Sequence, residues 1–156
     1  MKFSRLFRAK KVLQTAPEPV SDVNRKKILI VDDNQVILSA LSAKLKTHGY
    51  MPVTAVDCSD AIGMVRHEKP DLILLDISFP PDIAGGGVLW DGFRLIEWLS
   101  RFVEGRNTPV IIITGSEEPD FKKRSIEAGA VAFFRKPVES DELLAVIRKT
   151  LDGNPK

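Results

Sequence analysis

With 156 residues, 44% hydrophobic and 28% charged, the chain has material for one domain with a buried core plus a tail. Its formal charge of +2 divides unevenly: residues 1–27 hold eight Lys and Arg against two acids, and the remainder holds fifteen against nineteen. A mildly acidic body behind a basic leader argues against direct nucleic-acid binding, and the lone Cys58 excludes an internal disulfide and a thiolate metal cage.

Residues 1–24 read as an N-terminal extension joined through the proline-bearing stretch Ala16-Pro17-Glu18-Pro19. From Arg25 onward, short runs of Ile, Leu and Val alternate with segments of helical spacing, the pattern of an α/β parallel sheet covered by helices. Ile28–Val31 is the first strand, followed by a helix from about Gln35 to His48 with Ile37, Leu41 and Leu45 on one stripe and Gly49 as its stop. Tyr50–Val56 is a second strand, placed at an edge by Pro52. A short helix from Asp60 to His67, a third strand Leu72–Leu75 and a helix Phe93–Phe102 come next. Val110–Ile113 is the fourth strand, Pro119–Ala128 a helix ended by Gly129, Ala132–Phe134 the fifth strand, and Asp141–Leu151 the last helix. The connection from Ser78 to Trp90, with Gly85-Gly86-Gly87 inside it, is longer than such links usually are. No apolar run approaches the roughly 20 residues of a membrane span, and no secretory signal opens the chain, so the cytoplasm is the expected location.

Polar residues stand directly after the apolar runs: Asp32-Asp33 after strand one, Asp76 after strand three, Thr114 after strand four, and Arg135-Lys136-Pro137 after strand five. The carboxyl ends of parallel strands share one edge of the sheet, so these residues should converge. Three carboxylates in one pocket repel and call for a cation, and oxygen ligands without Cys or His suit Mg²⁺. Beside such an ion Asp76 can act as a nucleophile toward phosphorus, while Lys136 and the Thr114 hydroxyl meet phosphoryl oxygens. Singly, each residue has a structural explanation; Asp32 or Asp33 would serve as a cap for the helix near Gln35. Capping does not explain the whole set.

The set resembles the receiver domain of bacterial two-component response regulators, over about Lys26 to Leu151. It is carried by Ile28-Leu29-Ile30-Val31-Asp32-Asp33-Asn34, Asp71-Leu72-Ile73-Leu74-Leu75-Asp76, Asp91-Gly92, Ile111-Ile112-Ile113-Thr114-Gly115, Gly129-Ala130 and Lys136-Pro137. The resemblance implies a doubly wound, flavodoxin-like parallel sheet of strand order 2-1-3-4-5 with helices on both faces. It also implies a phosphoryl group taken onto Asp76 from a histidine kinase or histidine phosphotransfer protein. By matched position, Asp33 would bind Mg²⁺ directly, Asp32 mostly through water, and Ser78 through its backbone carbonyl. Phosphate would draw the Thr114 hydroxyl inward and turn Phe133, remodelling a face read by a downstream protein or a second copy of the chain. The domain would be residues 25–152, followed by a short tail at 153–156 and no output domain. The chemistry would be self-phosphorylation and self-dephosphorylation, not turnover of a metabolite. An aspartyl-phosphate phosphohydrolase would need a second acid where Ser78 stands.

Two features depart from the pattern. Asp91-Gly92 lies farther from Asp76 than in most members, which implies an insertion of about eight residues within an enlarged loop at 79–90, expected to be a mobile arm. In the leader, Phe3, Leu6, Phe7 and Leu13 would share a helical face opposite Lys2, Arg5, Arg8, Lys10 and Lys11, suiting an anionic membrane surface or acidic partner. A tail without fixed structure is the competing reading, because a short isolated helix is marginal in water. His48, His67, Cys58 in a turn, Trp90 and Trp98 are left outside the site.

Overall fold

The structure, a computed structural model, describes residues 25–78, 82–84, 88–102, 105 and 107–153, with backbone alone at 82–84 and 88–90. The leader, and with it the amphipathic reading of residues 1–13, lies outside the described residues.

The elements run β1 (Lys27–Val31), α1 (Gln35–Thr47), β2 (Met51–Ala55), α2 (Cys58–Glu68), β3 (Leu72–Leu75), β4 (Asp82–Ala84), β5 (Val88–Trp90), α3 (Gly92–Arg101), β6 (Val110–Thr114), α4 (Phe121–Glu127), β7 (Ala132–Arg135) and α5 (Ser140–Asp152). Five strands form one parallel sheet in the order β2-β1-β3-β6-β7, and β4 and β5 form a separate antiparallel pair. Discounting that pair, the sheet has the expected 2-1-3-4-5 order, with Pro52 on its edge strand.

Because successive strand residues face opposite ways, each strand feeds two cores. Leu29, Val31, Ile73, Leu75, Val110 and Ile112 pack with α2 and α3, while Ile28, Ile30, Leu72, Leu74, Ile111 and Ile113 pack with α1 and α5. Burying each such aliphatic side chain contributes about 1.5–3 kcal/mol, so the three central strands anchor the edge on which the polar residues stand.

Four of the five helices, all but α4, start on a side-chain cap. Asn34 accepts from the amides of Val36 and Ile37, Asp57 from Asp60, Asp91 from Arg94 and Glu139 from Asp141. Asn34 thus performs the capping that sequence alone offered to Asp32 or Asp33. His48 closes α1, its Nδ1 2.8 Å from the Lys44 carbonyl oxygen, which requires the proton on Nδ1.

Several boundaries differ. Because Asp57 caps α2, that helix begins at Cys58, which is fully buried in the helix and not in a turn. The fourth and fifth sheet strands extend through Thr114 and Arg135. The expected mobile arm contains a two-stranded ladder in which Asp82, Ile83 and Ala84 pair with Trp90, Leu89 and Val88. Apolar, β-prone residues on either side of a glycine run are a hairpin signal, weak here because each strand has only three residues.

Gly92 opens α3 where a side chain has no room: a Cβ there would lie 2.5 Å from Ile77 Cγ2 and 2.8 Å from Ile77 Cα. A Gly92→Ala substitution should destabilise the fold by about 1–3 kcal/mol through overpacking, read as a lower denaturant midpoint with little change in slope.

Candidate functional site

Strand register brings the polar residues together. Val31 of β1 pairs with Leu75 of β3, so the next residues, Asp32 and Asp76, emerge side by side. The Asp76 amide donates to the Val31 carbonyl at 2.9 Å, and Lys136 donates its amide to the Thr114 carbonyl at 2.8 Å. The sheet's hydrogen bonding thereby positions the first residue beyond each strand.

Asp32 and Asp76 are buried, 3% and 6% exposed, while Asp33 projects into solvent. One carboxylate oxygen from each of the three lies within 4.8 Å of the other two. Lys136 Nζ donates to Asp32 Oδ2 and Asp76 Oδ2, both at 2.6 Å. Burial pulls the Lys136 ammonium toward neutrality, but hydrogen bonds and charge from Asp32 and Asp76 together hold its pKa above the ordinary lysine value. The lysine therefore remains charged throughout the neutral range.

The other carboxylate oxygens are also committed. Asp32 Oδ1 accepts from the Asn34 amide at 2.8 Å. Asp76 Oδ1 accepts from the Ser78 amide at 2.8 Å and the Ser78 hydroxyl at 2.5 Å. Thr114, fully buried, donates its hydroxyl to Ser78 Oγ at 3.0 Å and accepts from the Ser116 amide at 3.1 Å. A chain of hydroxyls thus runs from Thr114 through Ser78 to Asp76.

The structure therefore brings Asp32, Asp33, Asp76, Ser78, Thr114 and Lys136 together at one edge of the sheet. Phe133 is set apart, half-buried against the α2–α3 core, while Phe134 packs against the opposite core, as strand alternation requires. Sequence reasoning valued Ser78 for its carbonyl and missed its hydroxyl, whose signal was only its spacing two residues beyond Asp76. It also missed the Asn34 cap, legible as a favoured N-cap residue just before the apolar stripe.

Residues 28–148 match the response regulator receiver domain. The chain belongs to that family. The receiver is similar to protein PilH of Pseudomonas aeruginosa, 34% identical over 127 residues that span 81% of this chain and 98% of PilH. It is 36% identical over 126 residues to sporulation initiation phosphotransferase F of Bacillus subtilis, covering 80% of this chain and 93% of that protein. A crystal structure of a CheY-like receiver domain from Methanospirillum hungatei superposes with a TM-score of 0.73 at 29% identity, covering 83% of this chain and 96% of that one. Receivers of this family serve two-component and phosphorelay signalling. Among the described residues, no helix is long and apolar enough to cross a membrane.

The donor set of this receiver fits a hard divalent cation. Three carboxylates and one ammonium leave two formal negative charges, which such an ion would neutralise. Asp32, Asp33 and Asp76, whose oxygens now lie within 4.8 Å of one another, would draw together to hold such an ion at the roughly 2.1 Å metal–oxygen distance that Mg²⁺ requires. Added Mg²⁺ should raise the melting temperature relative to EDTA, with about 1.4 kcal/mol of stabilisation at ten times the dissociation constant. The exposed Asp33→Asn should remove most of that rise; an unchanged Mg²⁺ response in this variant would exclude Asp33 as a ligand.

Proposed function

We propose that the protein is a cytoplasmic response regulator that accepts a phosphoryl group on Asp76 and signals through a phosphorylation-dependent protein surface. The donor would be a histidine kinase or histidine phosphotransfer protein. The observation that carries the reading is a buried carboxylate, Asp76, held by Lys136 and Ser78 beside two further acids.

In this reading an Asp76 carboxylate oxygen attacks phosphorus, the phosphorus–nitrogen bond of phosphohistidine breaks, and the departing imidazole takes up a proton. Mg²⁺, when bound by Asp32, Asp33, Asp76 and the Ser78 carbonyl, supplies charge neutralisation between the carboxylate and the phosphoryl group. Lys136, already charged, follows the negative charge from carboxylate to phosphoryl oxygen without a change of protonation. Ser78 and Thr114 hold the acceptor in place beforehand, since their hydroxyl chain ends on Asp76 Oδ1.

The same chain supplies a switch. For the Thr114 hydroxyl to reach a phosphoryl oxygen it must leave Ser78, and the fully buried β6 residue cannot move without disturbing β7, where Phe133 pairs with Ile112. Phe133 turning into the vacated space would change the face made by α4, β7 and α5.

Incubation with Mg²⁺ and a small acyl phosphate should add one phosphate, acid-stable and base-labile, to the wild type and none to Asp76→Asn or to wild type in EDTA. Failure of every donor, including a phosphorylated histidine phosphotransfer protein, would refute phosphoacceptance. Thr114→Ala should still acquire phosphate yet lose the change in the Phe133 ring resonances seen on phosphorylation. Lys136→Ala should slow phosphorylation about 10²-fold or more, the scale of losing one preorganised charge contact.

A further inference from the structure

We propose that the cleft between α3 and α4 is a docking site for an acidic segment of a partner protein, separate from the phosphoacceptor pocket. The cleft encloses about 470 Å³, with Phe93, Trp98 and Phe102 along it and Arg94, Arg101 and Arg124 around it. The helices α3 and α4 carry five cations, Arg94, Arg101, Lys122, Lys123 and Arg124, against Glu97 and Glu127. Outside the basic leader the body has the opposite sign, with fifteen cations against nineteen acids.

Glu97 stands three residues after Arg94 and four before Arg101, spacings that favour ion pairs on a helix, yet none of the three arginines makes an ion pair among the described residues. Arg124 lies over the Phe93 ring at 4.0 Å and within 5.6 Å of Phe121, while Phe93 and Phe121 meet edge to face at 5.3 Å. A guanidinium held over an aromatic ring by its face keeps N–H donors for a carboxylate.

Phe102 adds an apolar anchor at the end of α3. It is 43% exposed, and its ring stacks on Trp98 with centroids 4.6 Å apart, so an exposed aromatic is held by a buried one. Aromatic and arginine side chains beside one another are the residue types that concentrate binding energy at protein interfaces.

The position of Glu97 selects the occupant. Asp91 lines the cleft as well as Glu97, so two acids stand among the three arginines and disfavour a compact dianion such as a phosphate ester. Carboxylates spaced along a peptide can address the arginines one at a time, with an intervening aromatic or branched side chain on Phe102. An open groove also suits a chain passing through better than an enclosed small molecule.

The test uses the full-length protein, isotopically labelled, with a random glutamate–tyrosine copolymer as probe and polyglutamate and ATP as comparisons. The copolymer should shift amide resonances of α3 and α4 and the Trp98 indole, more strongly than polyglutamate and less as salt is raised. Exposed Arg94→Gln with Arg101→Gln should weaken this binding about tenfold, since two surface charge contacts are lost, without lowering the melting temperature. If that double variant melts lower, each single substitution should weaken binding about threefold on its own. Absence of binding, shifts confined to residues 1–24, or undiminished affinity in these variants would overturn the proposal. Tighter binding of ATP at the same amides would overturn the choice of a protein segment. None of these readouts requires Asp76 to be phosphorylated.

Discussion

One ammonium group between two buried carboxylates is the contact on which the site depends. Without Lys136, Asp32 and Asp76 would face each other across adjacent strand ends with their charges uncompensated, a costly arrangement away from water. With it, both carboxylates have a cationic partner, and their other oxygens are fixed by Asn34 and Ser78. The lysine comes from the far side of the sheet, beyond β7, so the pocket is complete only when β1, β3, β6 and β7 are in register.

The hydroxyl chain from Thr114 to Ser78 to Asp76 gives this arrangement a direction. Each hydroxyl donates toward the carboxylate, so the negative charge at Asp76 orients a buried residue of β6 that it does not touch. A changed charge at Asp76 is felt first by Ser78 and then by Thr114. The neighbouring strand β7 carries Phe133 toward one core and Phe134 toward the other, so only Phe133 adjoins the packing of Phe93 and Phe121.

The fold was legible because its signals are repetitive: apolar runs long enough to be buried on both faces, separated by helical stripes and glycine stops. The carboxylates, Thr114 and Lys136 were legible because a parallel sheet delivers whatever follows its strands to one edge. Contacts made across distant segments were not. Nothing in the sequence places the Ser78 hydroxyl between Thr114 and Asp76, 36 residues apart from one partner, or Ile77 against Gly92. Nor does spacing show that Arg94 and Arg101 make no ion pair with Glu97 among the described residues, since local rules predict the reverse.

The contact between Ile77 and Gly92 also shows how the chain closes the long connection between β3 and α3. Ser78 is tied back to Asp76, and Gly92 sits against Ile77 so closely that no Cβ fits, so the segment between them leaves and returns at nearly the same place. For such a closed loop, doubling the length costs only about 0.6 kcal/mol of closure entropy. The backbone groups of this connection need partners, and the β4–β5 ladder pairs some of them within the connection itself. A hairpin is suited to this position because its two ends meet. A long connection can thus stand beside Asp76 while the strand ends that form the pocket, and the head of α3 beside the arginine cleft, are fixed by their own contacts.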